Sequence, residues 1–123
     1  MMPRKRLGRT DIDVSTLGLG TVKFGRNQSL KYPTQFELPS DEQVRRLIDC
    51  AYAMGVNLID TAPAYGYSEE RVGDALRKSR KDWVISTKVG EEFTPDKFST
   101  QGHSHFDFSA QHTRRSVERS LRR

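Results

Sequence analysis

At 123 residues the chain is long enough for one ordinary domain. With 30% charged and 34% hydrophobic residues and a mean hydropathy of −0.74, it contains no apolar run near the length of a membrane span, so no membrane partner is expected. The lone cysteine, Cys50, rules out an internal disulfide and fits a reducing compartment, with the cytoplasm as the expected location. The net charge of +5 comes from clusters at Arg4 to Arg9, Arg77 to Lys81 and Arg114 to Arg123. No aromatic residues interleave with them in the manner of RNA-binding surfaces, so they read as solvated charge and no nucleic-acid partner is expected. The N-terminus also lacks the apolar core of a signal peptide.

Arg4 to Leu7 and Ile12 to Ser15 flank Gly8-Arg9-Thr10-Asp11, which predicts a short β-hairpin. Ser15 to Thr21 follows as a strand. Its glycines, Gly18 and Gly20, either meet a tight packing neighbour or leave room for another group to approach the backbone. Lys23 to Pro39 has no periodicity and holds Gly25, Asn27, Pro33 and Pro39, so a long loop is expected. Ser40-Asp41-Glu42-Gln43 is a capping box, and the helix it opens carries Val44, Leu47, Ile48, Ala51 and Tyr52 on one face. Gly55 ends that helix.

Val56 to Ile59 is an apolar run of the kind that makes a buried parallel strand, and Asp60 stands where it ends. Pro63 and Gly66 break regular structure, which puts Tyr65 in a loop. Ser68 is the expected N-cap of the next helix, with Glu69 and Glu70 in its first turn and Val72, Ala75 and Leu76 inward. Trp83 to Gly90 reads as a third strand, with Lys88 towards its carboxyl end. Glu91 to Asp107 reads as a second long loop. Its His103 and His105 have no partner spaced for a metal, so no metal site is expected. Ser109 is placed to cap a final helix with Thr113, Val117 and Leu121 along one side.

Strands alternating with helices predict an α/β fold, a barrel or doubly wound sheet, in which chemistry collects at the carboxyl ends of the strands. Asp60 and Lys88 both sit at such ends. Neighbouring strands lie about 4.8 Å apart, so the two side chains can form an ion pair, with Tyr65 above them. A free phenol is too weak an acid for easy proton donation at neutral pH, and a neighbouring ammonium favours its ionised form. The trio therefore suits a general acid that protonates a carbonyl oxygen as hydride reaches the carbon. An Asp–Lys pair can equally serve structural specificity alone.

Leu17-Gly18-Leu19-Gly20-Thr21, Asp60-Thr61-Ala62 with Tyr65-Gly66 and Ser68-Glu69, and Ser86-Thr87-Lys88 together resemble the aldo-keto reductases. Leu7-Gly8-Arg9-Thr10 and Val14 to Gly18 resemble that family's opening hairpin, which plugs the bottom of a barrel. The resemblance implies a TIM (β/α)8 barrel, of which residues 1–123 would be an incomplete N-terminal portion: the hairpin and about three βα units. It implies NADPH-dependent reduction of an aldehyde or ketone, with a small carbonyl compound as substrate. Asp60, Tyr65 and Lys88 match three catalytic residues, with Tyr65 rather than Tyr67 as the proton donor. Gly20 and Thr21 match cofactor-facing positions, and Asp60 lies close to the nicotinamide ribose. The family's catalytic histidine ends the fourth strand; His103, His105 and His112 do not match it. A chain of this extent would be weakly active or inactive alone and prone to self-association. Two other classes are a non-catalytic regulatory or channel-associated subunit on the same barrel and a basic nucleic-acid-binding fragment.

Overall fold

The structure is a computed structural model, and it describes residues 1–99 and 101–123. Strands β1 (Arg4–Arg6) and β2 (Asp13–Ser15) pair antiparallel, as the turn residues between them predict. The hairpin is fastened to the body by buried Asn57. Its side-chain oxygen accepts from Ser15 N at 2.7 Å and its amide donates to Asp13 O at 2.9 Å, while Asn57 N donates to Ser15 Oγ at 3.1 Å.

Three short strands, β3 (Leu19–Gly20), β4 (Leu58–Asp60) and β5 (Val84–Ser86), form a parallel sheet in that order. The register aligns Gly20, Asp60 and Ser86 across it. Alternation turns Ile59 towards the helices, where it is fully buried, and leaves Leu58 and Asp60 on the opposite face. The sheet does not close on itself: among the described residues β3 and β5 each have one unpaired edge.

Helix α1 (Val22–Gly25) is a single turn after β3 that runs into the segment expected to be loop from Lys23. The capping box opens α2 (Asp41–Ala53), with both of its reciprocal bonds present. Val44, Ile48 and Ala51 are buried, whereas Leu47 and Tyr52 are half exposed, because the three-strand sheet covers a narrower stripe of the helix than the sequence offers. Helix α3 (Ser68–Ala75) buries Val72 against the sheet. These side chains join Phe24, Val56, Leu76 and Trp83 in one core on the helix-covered face.

Two expectations need correction. The strand expected over 83–90 keeps sheet pairing only through Ser86. The segment expected to be a loop, 91–107, is a second antiparallel hairpin, β6 (Glu91–Thr94) with β7 (His103–Phe106). Charged and histidine side chains mask its alternation, and its pairing joins residues 9 to 15 positions apart. Helix α4 (Ala110–Arg122) follows, capped by Ser109 as expected. It buries Ser116 rather than the stripe of Val117 and Leu121.

Candidate active site

Asp60 is positioned by backbone bonds on both sides. Its carbonyl accepts from Thr21 N at 3.1 Å and Thr21 Oγ1 at 2.9 Å, and the next residue, Thr61, donates from its N–H to Ser86 O at 2.9 Å. The ladder thus fixes the point where β4 ends and its carboxylate emerges.

Lys88 reaches back to that carboxylate. Its Nζ donates to Asp60 Oδ1 at 2.9 Å, to Asp60 Oδ2 at 2.8 Å and to Thr61 O at 3.0 Å. The same Nζ stands 4.9 Å from the centroid of the Tyr65 ring. Burial disfavours the ammonium charge, but the hydrogen bonds and fields of Asp60 and Tyr65 outweigh it, so the Lys88 pKa is raised above the ordinary lysine value. The two side chains of the ion pair are 48% and 44% exposed, and a pair that open contributes only about 0–1 kcal/mol to stability. Its interest is therefore chemical.

Tyr65 ends a 3₁₀ turn over Pro63–Tyr65, started by Pro63 and closed by Tyr65 N to Ala62 O at 3.0 Å. The turn lies hard against α1. A Cβ on Gly25 would collide with the backbone of Tyr65 and Ser68, and one on Gly66 with the carbonyl of Gly25, so two glycines permit the crossing. Tyr67, the other tyrosine of this segment, is half exposed.

Of the expected cofactor-facing residues, Gly20 is exposed, and a Cβ there would meet nothing within 4 Å. Thr21 is fully buried and its hydroxyl is engaged inside the fold. Its partner is Ser68, which does not cap α3 as expected. The preceding Tyr67 stands at the cap position, and Ser68 Oγ bonds Thr21 O at 2.9 Å, Thr21 Oγ1 at 2.7 Å and Thr61 Oγ1 at 3.0 Å. This buried hydroxyl cluster ties the ends of β3 and β4 to the start of α3. A serine before two glutamates reads as a cap, so sequence reasoning had no signal for it.

Glu69 lies in the first turn of α3, as expected, but has a further role. Its carboxylate is buried, accepting from Thr87 Oγ1 at 2.9 Å and from Arg123 Nη1 at 2.9 Å. It thereby fastens the residue beside Lys88 to α3. Arg26 was also missed: its guanidinium donates to Ala64 O, next to Tyr65, at 3.0 Å. His103 and His105 lie on exposed β7, and His112 stands on α4 between Glu92 and Asp107. Among the described residues no group of three or more His, Cys, Asp or Glu could hold a metal ion. No helix among them is long and apolar enough to cross a membrane.

A parallel sheet of βα units with a carboxylate, an ammonium and a phenol gathered at its strand ends defines a class of α/β protein with an acid–base site. The profile of the Aldo/keto reductase family matches residues 16–123. The chain belongs to that family, whose fold is a TIM barrel. A crystal structure from Pseudomonas aeruginosa assigned to the aldo-keto reductases superposes with a TM-score of 0.80 and 56% identity, over 97% of this chain and 42% of that one. The uncharacterised oxidoreductase YqkF of Bacillus subtilis (strain 168) is 31% identical over 99% of this chain and 35% of its own length. The NADH-specific methylglyoxal reductase of Escherichia coli (strain K12) is 39% identical over 72% of this chain and 27% of its own. The chain thus spans well under half the length of these relatives.

Proposed function

We propose that these residues are the N-terminal portion of a carbonyl reductase that uses NADPH to reduce an aldehyde or ketone to an alcohol. The observation that carries this reading is the Lys88 ammonium, seated on Asp60 and 4.9 Å from the Tyr65 ring at the carboxyl end of a parallel sheet. The donor set fits the nicotinamide end of the cofactor. Asp60 is half exposed beside the open backbone of Gly20, which leaves room and a hydrogen-bond acceptor for a ribose.

Bound NADPH supplies a hydride to the carbonyl carbon. Tyr65 holds the proton for the carbonyl oxygen. Lys88 stands beside the phenol as a positive charge, which favours the phenolate that remains after the proton leaves. Asp60 in turn holds the ammonium in place and keeps it charged. Thr21 contributes through the hydroxyl cluster beneath the strand ends rather than by touching the cofactor with its side chain.

In the complete protein, Tyr65→Phe should lower turnover of carbonyl substrates by about two to four powers of ten, the usual worth of a general acid, with NADPH affinity nearly unchanged. An unchanged aldehyde reduction rate would show that Tyr65 is not the donor. Since the Escherichia coli relative is named NADH-specific, the ratio of rates with NADPH and NADH is the direct check on the cofactor. The 123 residues alone should bind NADPH weakly, catalyse poorly and self-associate, because among the described residues the sheet has two open edges and the face bearing Leu58 and Val84 is only half-buried. Light scattering and NADPH fluorescence titration would test this; a monodisperse monomer that binds NADPH at micromolar concentration would overturn it. The lone exposed cysteine suits a cytoplasmic setting.

A further inference from the structure

The β6–β7 hairpin has no part in the mechanism above, yet it is tied to the turn that carries Tyr65. The tie is Arg26, whose side chain is only 9% exposed. Its Nη1 donates to Ala64 O at 3.0 Å and to Glu91 Oε1 at 3.4 Å, its Nε to Gln28 O at 3.0 Å and its Nη2 to Ser29 O at 3.0 Å. The guanidinium also stacks over the Phe93 ring at 3.8 Å from its centroid. One buried cation therefore joins the Tyr65 turn, the segment after α1 and strand β6.

Further bonds lace the same segment to the hairpin. Gln28 exchanges two bonds with the backbone of Asp96, at 3.1 and 2.9 Å, and Ser29 Oγ donates to Gly102 O at 2.8 Å. On its other face the hairpin meets α4, where Glu92 accepts from Arg119 and lies 3.4 Å from His112. A hairpin held from both faces is a fixed element rather than a loose flap.

Pairing shows which side chains share the face of the hairpin that meets Arg26. Glu91 lies opposite Phe106 and Phe93 opposite Ser104, and residues directly opposite share a face. Glu91 and Phe93 both contact Arg26, so Phe106 and Ser104 project to the same side. Ser104 is occupied by Glu91 at 2.6 Å, and Phe93 is buried. Phe106 is 59% exposed, an apolar surface left open on the face of the hairpin that meets Arg26.

We infer that Arg26 is a positioning residue that pins this hairpin to the Tyr65 turn, and that the hairpin is a specificity wall on which Phe106 meets the apolar body of a carbonyl substrate. This rests on the carbonyl-reductase reading, and two measurements on the complete protein separate the two. The first is amide hydrogen exchange without substrate. Arg26→Gln should speed exchange in 91–94 and 103–106 by about tenfold or more, with α2 unaffected. If Arg26→Gln does not fold, Glu91→Gln, which removes the charge facing Arg26 but keeps an oxygen to accept from Ser104, should speed exchange in the same segments. Unchanged protection in the hairpin would overturn the pin. The second is NADPH-dependent reduction of benzaldehyde and propanal. Phe106→Ser should lower the benzaldehyde-to-propanal ratio of kcat/KM about tenfold, and Arg26→Gln should lower it in the same direction. An unchanged ratio in an active enzyme would overturn the wall. A parent protein that reduces neither aldehyde would overturn the reductase reading and the wall with it, while the exchange result would still decide the pin.

Discussion

Helix α3 follows β4, helix α4 comes after β5 and the β6–β7 hairpin, and both carry apolar residues at helical spacing, yet different forces hold them. In the α3 unit Val72 is 2% exposed and the adjoining Leu76 0%, both inside the core. In α4 Val117 is 42% exposed and Leu121 80%. Polar links hold α4 instead: the Ser109 cap, Glu92 with Arg119, and Arg123 with Glu69 and Glu70. Between the two helices and β5 lies a groove of about 450 Å³ bordered by Val72, Ile85, Val117 and Leu121. The contrast teaches that an apolar stripe specifies a face of a helix but not what covers it. Coverage depends on which elements stand opposite, and the unpaired edge of β5 offers α4 less than the sheet interior offers α3.

The largest test of this contrast is Leu76→Ala. It should cost about 2–5 kcal/mol in urea unfolding, as for other fully buried leucines. A loss under about 1 kcal/mol would remove the claim that packing holds the α3 unit.

Acid should act on the other helix. Asp107 accepts from Ser109 N at 2.9 Å at the start of α4, and bonds from the Ser109 backbone and side chain, with help from the charges of His112 and His105, hold its pKa below the ordinary aspartate value. A carboxyl group whose folded pKa is depressed contributes stability that is fully present above the unfolded pKa of about 3.9 and is lost as pH falls through the folded value. As pH falls below about 3.9, backbone chemical shifts should therefore report fraying at the first turn of α4 before any change in α3. Simultaneous loss of both would mean that α4 is as firmly packed as its neighbour.

The smallest expected effect sharpens the same point. Leu121→Ser should alter stability by no more than about 0.5 kcal/mol, as for an exposed site. A larger loss would mean that Leu121 is covered in solution, and light scattering would tell whether a second chain covers it.

The features legible in the sequence are those whose cause lies within a few residues. The Ser40–Gln43 capping box, the Ser109 cap, the first hairpin and the strand end at Asp60 all follow from local hydrogen bonding and alternation, and the structure contains each of them, whereas β5 ends at Ser86, two residues short of Lys88. The convergence of Lys88 on Asp60 and Tyr65 was also accessible, because consecutive parallel strands put equivalent ends side by side. Tertiary structure alone decided the rest. Ser68 gives up the cap to bond Thr21, 47 positions earlier, and Arg26 reaches Ala64 and Glu91, 38 and 65 positions later. Glu69 takes Arg123 as partner, 54 positions away, and β6 pairs with β7 across a turn whose composition hides the strands. In each case a polar side chain has a reasonable local role in the sequence. The three-dimensional fold brings a distant partner that satisfies it under burial, and leaving it there unpaired would cost more than giving up the local role.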